Sequence, residues 1–226
     1  MSATYLQKLL AVLFPQRTVC HVCGAPLMAG EGALCEDCAK SLTKSAYTPK
    51  RAPVRLNERI AFAASAYPYS GAAATLAKAL KFGSDLTAAL PLAERMAALY
   101  ATLAPLREAE LCVAVPMHKR RLRQRGYNQA EVLAAAFARA VGLPMETDVL
   151  LRIHHKRSQI GQGRVARRNN IAGAFAVSAI GTERIAGRRV LLIDDVLTTG
   201  ATAEECAAAL LAAGAQAVLL LTACRA

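Results

Sequence analysis

The sequence has no apolar run long enough to cross a bilayer, no internal repeat and no low-complexity tract. The first absence argues against a membrane-spanning helix, which needs about 20 consecutive apolar residues. The other two argue against a solenoid or a disordered chain, and hydrophobic residues make up 54% of the 226 positions. We therefore expect one α/β domain of ordinary core size with a small accessory module.

Acidic residues are scarce relative to basic ones, 16 against 28, and the net charge is +12. The excess lies in two clusters that contain no acid. The first cluster comprises Lys119, Arg120, Arg121, Arg123 and Arg125, and the second comprises Arg152, Lys156, Arg157, Arg164, Arg167 and Arg168. Unbalanced charge of this kind indicates a polyanionic ligand rather than a merely solvated surface.

Four of the seven cysteines form two C-x-x-C pairs separated by 11 residues. These four residues are Cys20, Cys23, Cys35 and Cys38. Two such pairs in succession have the spacing of a tetrahedral zinc site. A disulfide pair and a redox-active C-x-x-C motif are the alternatives. The missing export signal argues against disulfides, and the presence of two matching pairs argues against a redox-active motif. With four thiolates available, His21 is expected to be an exposed spacer, and the three dispersed cysteines are expected to be buried.

The N-terminal section is predicted to comprise residues 1–58. Leu6, Leu9, Leu10 and Leu13 fall on one face of a helix, which predicts a short amphipathic helix rather than a signal sequence. The cysteine pairs follow, and then residues 43–58, where prolines and charges predict a linker. Residues 59–226 would form the second domain.

Apolar strand patterns alternate with helical patterns through that second domain, which predicts a parallel sheet flanked by helices. Strands are expected at 60–69, 111–115, 149–153, 174–177, 190–193 and 217–222. Helices are expected at 71–82 and 85–103, from the capping pair Asn128 and Glu131 to Gly142, and after Thr202. The first basic cluster is expected to lie in a loop.

Residues 190–202 are the most informative segment. Four apolar residues end in Asp194 and Asp195, as in a buried parallel strand that delivers side chains to the carboxyl end of a sheet. A turn and a helix follow, and backbone N–H groups at a helix N-terminus can hold a phosphate. The turn comprises Thr198, Thr199, Gly200, Ala201 and Thr202. Carboxylates accept hydrogen bonds from vicinal hydroxyls, so the combination suggests a ribose 5-phosphate.

This segment resembles the fingerprint of the type I phosphoribosyltransferases: four apolar residues, two acids and a loop ending in Thr-x-Gly-x-Thr. Further similarity lies in residues 80–83, in 115–129 with its Arg-Gly-Tyr-Asn-Gln sequence, and in Gln159, Arg167 and Asn170. Together with the cysteine pairs, these segments resemble the ComF family, competence-linked phosphoribosyltransferase-like proteins with an N-terminal zinc ribbon. The chain departs from that family at Gln162, where leucine is usual.

The resemblance implies roles for individual residues. Asp194 and Asp195 would be the catalytic pair that binds the ribose hydroxyls of phosphoribosyl pyrophosphate, directly or through Mg²⁺, and residues 198–202 would hold the 5-phosphate. The remaining site residues would bind pyrophosphate or DNA, and they are Lys119, Arg120, Arg121, Arg123, Arg125, Gln159 and Arg167. Residues 154–170 would form a hood loop. Thr198 stands where enzymes of 6-oxopurines carry an acidic base, which weakens a purine-salvage assignment.

Three functions remain open from the sequence. The first is an active phosphoribosyltransferase in DNA uptake or nucleotide metabolism. The second is a non-catalytic protein that binds single-stranded DNA together with other competence proteins. The third is a regulator that senses a nucleotide. For each we expect a cytoplasmic protein with a structural Zn²⁺. Tyr127 would serve either as a base-stacking residue or as a buried aromatic residue.

Overall fold

The computed structural model describes residues 18–28, 32–82, 86–153 and 173–226. Within these ranges, the strands form one five-stranded sheet and one two-stranded sheet. The strands are β1 (Pro53–Val54), β2 (Phe62–Pro68), β3 (Leu111–Ala114), β4 (Leu150–Arg152), β5 (Phe175–Val177), β6 (Arg189–Leu197) and β7 (Ala217–Arg225). The larger sheet has the order β1-β2-β7-β6-β3, with β1 antiparallel and the other four strands parallel.

Helices connect and cover these strands. They are α1 (Glu36–Ser45), α2 (Gly71–Phe82), α3 (Ala89–Thr102), α4 (Lys119–Arg125), α5 (Gln129–Val141), α6 (Ala179–Ile185) and α7 (Ala201–Ala212), with short 3-10 turns at Leu86–Ala88 and Ala104–Glu108. Helix α5 packs on β3 and β6 and contributes the fully buried Leu133 and Phe137 to the core, and α7 packs on β5 and β7. The predicted α/β fold with a mainly parallel sheet is confirmed.

Strand β6 lies between β7 and β3 in the sheet and is longer than predicted. The prediction ended the strand at Ile193 because two carboxylates follow, but β6 continues to Leu197. Backbone pairing with β7 carries on past the acids, since Asp194 is opposite Thr222 and Val196 is opposite Cys224. Val190 and Ile193 have no exposed surface. Asp194 and Asp195 are therefore fixed by a strand that is anchored in the core.

Residues 43–58 are not a free linker. Helix α1 continues to Ser45, and Pro53 and Val54 pair with β2 as an edge strand of the main sheet. Ala52 is fully buried. Segments with many prolines and charges can still pair at a sheet edge, where Pro loses no necessary hydrogen bond. The domain boundary at residue 58 stays a prediction.

Two further differences from the prediction concern the pairing of two strands and the presence of one additional helix. Strands β4 and β5 pair with each other in a separate antiparallel sheet instead of joining the main sheet. Helix α6, which Ser178 caps through a hydrogen bond from the Gly181 N–H, was not predicted.

The expected N-terminal amphipathic helix lies outside the described residues. In the described ranges, no helix has both the length and the apolar character needed to cross a membrane.

Candidate functional site

The acid pair occupies the carboxyl end of β6, beside the end of β3. The Val115 N–H donates to the Ile193 carbonyl, so the chain leaves β3 at the level of the acids. Asp194 Oδ1 accepts from the Asp195 N–H at 2.9 Å, and Asp195 Oδ1 accepts from the Val196 N–H at 2.9 Å. Each carboxylate is thus oriented by the backbone of the next residue and keeps oxygens available for a ligand.

Electrostatics at the pair favour a positively charged or hydrogen-bond-donating ligand. Burial raises the pKa of the Asp194 carboxyl well above its usual value, and the charge of Asp195 raises it further. Lys81, at the end of α2, partly offsets this effect. The ionised Asp194 carboxylate is therefore under-compensated: its neighbouring positive charges and hydrogen-bond donors do not fully offset the cost of its burial. A cation or a donor placed beside it would relieve that cost.

The turn after β6 requires glycine at position 200. Gly200 has φ 83°, in the left-handed region, and precedes the first residue of α7. A Cβ at this position would lie 2.7 Å from Leu56 Cδ2, so a side chain would also meet the neighbouring segment. The helix was predicted to open at Thr202, but it begins at Ala201. The helix N-terminus and Thr198, which is exposed, line the turn that was predicted to bind phosphate, and the Ala201 N–H donates to Thr199 Oγ1 at 3.5 Å.

Three cations from other elements interact electrostatically with Asp194 or with one another. Lys81 comes from α2 and Arg121 from α4, while Arg152 comes from β4. Burial and the charge of Arg121 lower the pKa of the half-buried Arg152 guanidinium, and the charge of Asp194 acts in the opposite direction. Among the described residues, Arg152 Nε is buried without a hydrogen-bond partner. Arg121 and Arg152 thus repel each other, and a bound anion would reduce that repulsion.

The first basic cluster is a helix and not the loop that was predicted. Helix α4 begins after His118, whose Nδ1 accepts from the Arg120 N–H, and it ends at Gly126 with φ 84°. None of its seven residues is buried. Only Leu122 is apolar, so no hydrophobic periodicity marks the helix, and its two caps define it instead.

The Arg-Gly-Tyr-Asn-Gln segment holds α4 in place. The Arg125 guanidinium donates to Gln129 Oε1 at 2.6 Å, and the Tyr127 hydroxyl donates to the Leu80 carbonyl at 2.5 Å. Asn128 is buried, and it caps α5 by accepting from the Ala130 N–H while its amide donates to the Val115 carbonyl at 3.0 Å. The side chains of this segment therefore make local contacts that fix the basic helix against α2 and β3. Of the two interpretations of Tyr127, the buried aromatic agrees better with the structure, since its ring is half-buried.

The predicted capping pair at α5 is confirmed in part of its detail. The helix runs from Gln129 to Val141 between Asn128 and Gly142, as expected. Glu131 Oε1, however, accepts from the Asn128 side-chain amide at 3.2 Å. Gln159 and Arg167 lie outside the described residues. The catalytic, phosphate-binding and pyrophosphate-binding roles of the other site residues stay predictions.

The two cysteine pairs converge on one point. The sulfurs of Cys20, Cys23, Cys35 and Cys38 all lie within 4.8 Å of one another, and the Cys23 and Cys35 sulfurs are 3.7 Å apart. A tetrahedral zinc with Zn–S bonds of about 2.3 Å requires sulfurs about 3.8 Å apart. Although burial raises the pKa of the Cys20 thiol, hydrogen bonds from Cys23, Cys35 and Val22 lower it to about 6. The set of four thiols fits a structural zinc ion.

The zinc module packs directly on the larger domain. His21 is buried, contrary to the prediction of an exposed spacer, and its Nε2 lies 3.0 Å from Thr87 Oγ1. Leu34 and Leu42 belong to the common hydrophobic core. The first cysteine pair therefore lies against the 3-10 turn before α3. The local sequence around His21 could not reveal this contact, because it joins two distant segments of the chain. Cys112, Cys206 and Cys224 are fully buried, as predicted.

The α/β domain and the cysteine module are each similar to a known family. Residues 127–226 match the family Phosphoribosyl transferase domain, and residues 9–50 match the Double zinc ribbon domain. The sequence predictions of this domain type and of a zinc-binding module are confirmed by those matches.

The chain is also similar in sequence to individual named proteins. The chain is 36% identical over 100 residues to Competence protein F of Haemophilus influenzae, covering 44% of this chain and 43% of that protein. It is 26% identical over 227 residues to DNA utilization protein YhgH of Escherichia coli K12, covering 92% and 96%. The chain is a homologue of Competence protein F and of YhgH, and its resemblance to the ComF family is confirmed.

One solved structure completes the comparison. Glutamine phosphoribosylpyrophosphate amidotransferase from B. subtilis, complexed with ADP and GMP, matches 60% of this chain and 26% of its own. The identity is 21% and the TM-score is 0.40. That likeness is too weak to carry any argument about this protein.

Lys81 and Arg152 are the site residues that sequence reasoning did not assign. Arg152 belonged to the second basic cluster, and Lys81 to the 80–83 similarity, but neither pattern indicated proximity to Asp194. Arg152 is part of a strand with the pattern Leu-Leu-Arg, where a cation at the end of an apolar run is the available signal. Lys81 ends an apolar helix and gives no such signal.

Proposed function

We propose that the protein binds phosphoribosyl pyrophosphate with Mg²⁺ at the end of β6 and transfers ribose 5-phosphate to a nitrogen nucleophile. One observation carries this proposal: an under-compensated acid pair is followed at once by a glycine turn and a helix N-terminus. Acids suit hydroxyls and the helix N-terminus suits phosphate, so the two ends of a ribose 5-phosphate have separate partners.

The acid pair also fits the divalent ion that such a substrate carries. Mg²⁺ prefers carboxylate oxygens and usually retains waters, and it is commonly held by one or two carboxylates together with substrate phosphates. Asp194 and Asp195 would hold it. When bound, the ion would neutralise charge on the pyrophosphate group. The raised pKa of Asp194 supports this fit, because a cation beside the pair removes the repulsion that raises it.

The surrounding cations suit the leaving group. As pyrophosphate departs from the ribose carbon, negative charge accumulates on its oxygens, and fixed cations stabilise that charge without reorganising. Lys81, Arg121 and Arg152 come from three elements, and Lys81 and Arg152 interact electrostatically with Asp194, which supports this role. Their role would be electrostatic, and the positioning of both reactants would supply the rest of the rate.

Release of pyrophosphate tests the transfer reaction. The protein is incubated with phosphoribosyl pyrophosphate, Mg²⁺ and a panel of nucleobases, and pyrophosphate is measured with a coupled assay. We expect release with at least one acceptor, and a large loss in Arg121→Gln but not in Arg139→Gln, an exposed arginine of α5. Binding without release for any acceptor would replace the transferase by a nucleotide-sensing regulator.

A second function, handling of single-stranded DNA, is favoured by α4. Five of its seven residues are cations and none is buried, which suits a strand of phosphates. The relatives named for competence and for DNA utilization point the same way. The protein would then act in the cytoplasm with other competence proteins, a compartment where zinc-bound thiolates stay reduced.

Salt dependence tests the DNA-handling function. Binding of a fluorescent single strand should weaken steeply as salt increases. Replacing Arg120, Arg121 and Arg123 by glutamine should abolish most of that dependence. Binding that is indifferent to salt, or to the triple replacement, would contradict a phosphate-tracking role for α4.

A further inference from the structure

An exposed aromatic ring follows Lys81 at the end of α2. Phe82 is the last residue of α2, and 73% of its surface is exposed. Phe137 and Phe175, by contrast, are buried in the core. Single exposed apolar residues are common and need no explanation by themselves. The surroundings of Phe82, however, are polar and basic, so the ring is not part of an apolar patch.

Two cations lie over this ring. Lys81 Nζ is 5.4 Å from the ring centroid of Phe82, and Arg125 Cζ is 5.6 Å from it. Both distances are within the range of cation–π contact. The position of the Arg125 side chain is fixed, because its guanidinium donates to Gln129 Oε1 at the start of α5. Ring and cations are thus held together by contacts from three helices.

The ring opens onto a cleft of about 520 Å³. Its lining residues are Lys81, Phe82, Arg121, Gln124, Arg125 and Tyr127. The Tyr127 hydroxyl donates to the Leu80 carbonyl, which closes the cleft against the end of α2. The cleft therefore offers one accessible π surface, three cations and one side-chain amide. The charge of Lys81 also partly offsets the rise in the pKa of the Asp194 carboxyl, so one cation of the cleft interacts electrostatically with the acid pair.

This combination of groups selects among ligands. An acidic peptide would use the cations and the amide, but its carboxylates and aliphatic side chains would leave the ring without a stacking partner. A paired duplex would present phosphates but no accessible base face. An unpaired nucleotide uses all three features, because its base can stack on the ring, its phosphate can pair with the cations and its base edge can bond to the amide.

We propose that the cleft binds an unpaired nucleotide, with its base stacked on Phe82 and its phosphate paired with Lys81, Arg121 and Arg125. The nucleotide has two sources, a single DNA strand and a free mononucleotide, which share this chemistry. Binding of a DNA strand in the cleft rests on the proposed DNA-handling function, whereas binding of a free mononucleotide there does not. Phe82 has no part in the proposed binding of phosphoribosyl pyrophosphate at β6, whereas Lys81 and Arg121 are assigned to both sites.

The absence of tryptophan from the chain makes a direct test possible. In Phe82→Trp the only indole is at the proposed stacking position, and its fluorescence is followed during titration with oligothymidylate of about 12 nucleotides, within the usual range of site sizes. We expect strong, salt-sensitive quenching. The matched control is Ile180→Trp, because Ile180 is 62% exposed on α6 and does not line the cleft. It should not be quenched.

Affinity provides the second measurement. Phe82→Leu removes the π surface but keeps an apolar side chain, and it should weaken oligonucleotide binding about tenfold, as loss of one stacked base does. Phe82→Trp should restore wild-type affinity. Because the side chain is exposed, both variants are expected to fold, which circular dichroism verifies.

The outcomes separate this inference from the proposed functions. Tight binding of the strand without quenching in the Phe82→Trp variant, and without loss in Phe82→Leu, would overturn the stacking site while leaving DNA handling intact. Quenching by thymidine monophosphate alone would support the site with a free nucleotide as its ligand. If neither ligand quenches or binds, the site is wrong, and calorimetry with phosphoribosyl pyrophosphate remains an independent test of the β6 site.

Discussion

The acid pair and the basic helix lie at the same edge of the sheet, but different parts of the molecule hold them there. Asp194 and Asp195 belong to a strand whose preceding residues, Val190 to Ile193, have no exposed surface. Helix α4 has no buried residue and is fixed by contacts at its ends. The acids are therefore positioned by the whole core, and the cations by a few hydrogen bonds. The basic helix should be the easier of the two to displace.

The largest effect is expected at the residue that anchors α4. Asn128→Ala removes the cap of α5 and leaves the Val115 carbonyl without its donor, so we expect a loss of about 2–3 kcal/mol in unfolding free energy. Urea denaturation measures it. Oligonucleotide affinity should fall as well, because α4 loses its attachment.

Ser178→Ala is the control for that prediction. Its hydroxyl accepts from the Gly181 N–H and donates to the Asp148 carbonyl, so it is also a helix cap but far along the chain from α4. We expect a loss of about 1 kcal/mol in stability and unchanged oligonucleotide affinity. Equal effects of the two variants on DNA binding would contradict the anchoring role of Asn128.

A smaller cost is expected at the turn beyond the acids. Gly200→Ala places a Cβ at φ 83° and near Leu56 Cδ2, and the left-handed conformation costs about 1–2 kcal/mol for a non-glycine residue. The double variant with Leu56→Ala should recover the steric part only. Complete recovery in the double variant would show that the backbone conformation of the turn is not constrained.

Asp194→Asn should stabilise the protein while weakening its ligand site. The folded-state pKa of Asp194 is raised, so its favourable contribution is present below the usual value of 3.8 and is lost as pH rises through the folded value. Above the folded-state pKa the ionised carboxylate is therefore destabilising, and asparagine removes that cost. We expect a rise of about 2–4 °C in Tm, the change that 1 kcal/mol produces in a chain of this size. Calorimetric melts at low pH should show no gain.

The smallest effect is expected for a single cation on the outer face of α4. Arg123 does not line the cleft, and its side chain is not buried. Arg123→Gln should reduce the salt slope of single-strand binding by about 0.7 and change unfolding free energy by less than about 0.5 kcal/mol. An unchanged slope would place Arg123 away from the strand.

Local signals in the sequence predicted much of this arrangement. Apolar runs identified the strands, and Asn128 with Gly142 bounded α5 correctly because a cap and a left-handed glycine act on adjacent residues. The cysteine spacing predicted the zinc site for the same reason. The acid pair and its turn were also recognised from contiguous residues.

What the sequence did not reveal depends on contacts between distant segments. The extension of β6 past its acids comes from pairing with β7, and the separation of β4 and β5 from the main sheet comes from their pairing with each other. The proximity of Lys81 and Arg152 to Asp194 requires three elements to be packed first. Helix α4 was missed because caps define it and apolar periodicity does not.

Calorimetric titration with phosphoribosyl pyrophosphate and Mg²⁺ tests the central claim most directly. The account predicts that wild type and Asp148→Asn, which alters an exposed acid away from the site, bind with equal Kd. Asp195→Asn should bind at least about tenfold more weakly, since a hydrogen bond to a charged group contributes about 1.5–3 kcal/mol. Equal affinity in all three proteins, or no binding by wild type, would contradict a sugar-phosphate site at the end of β6.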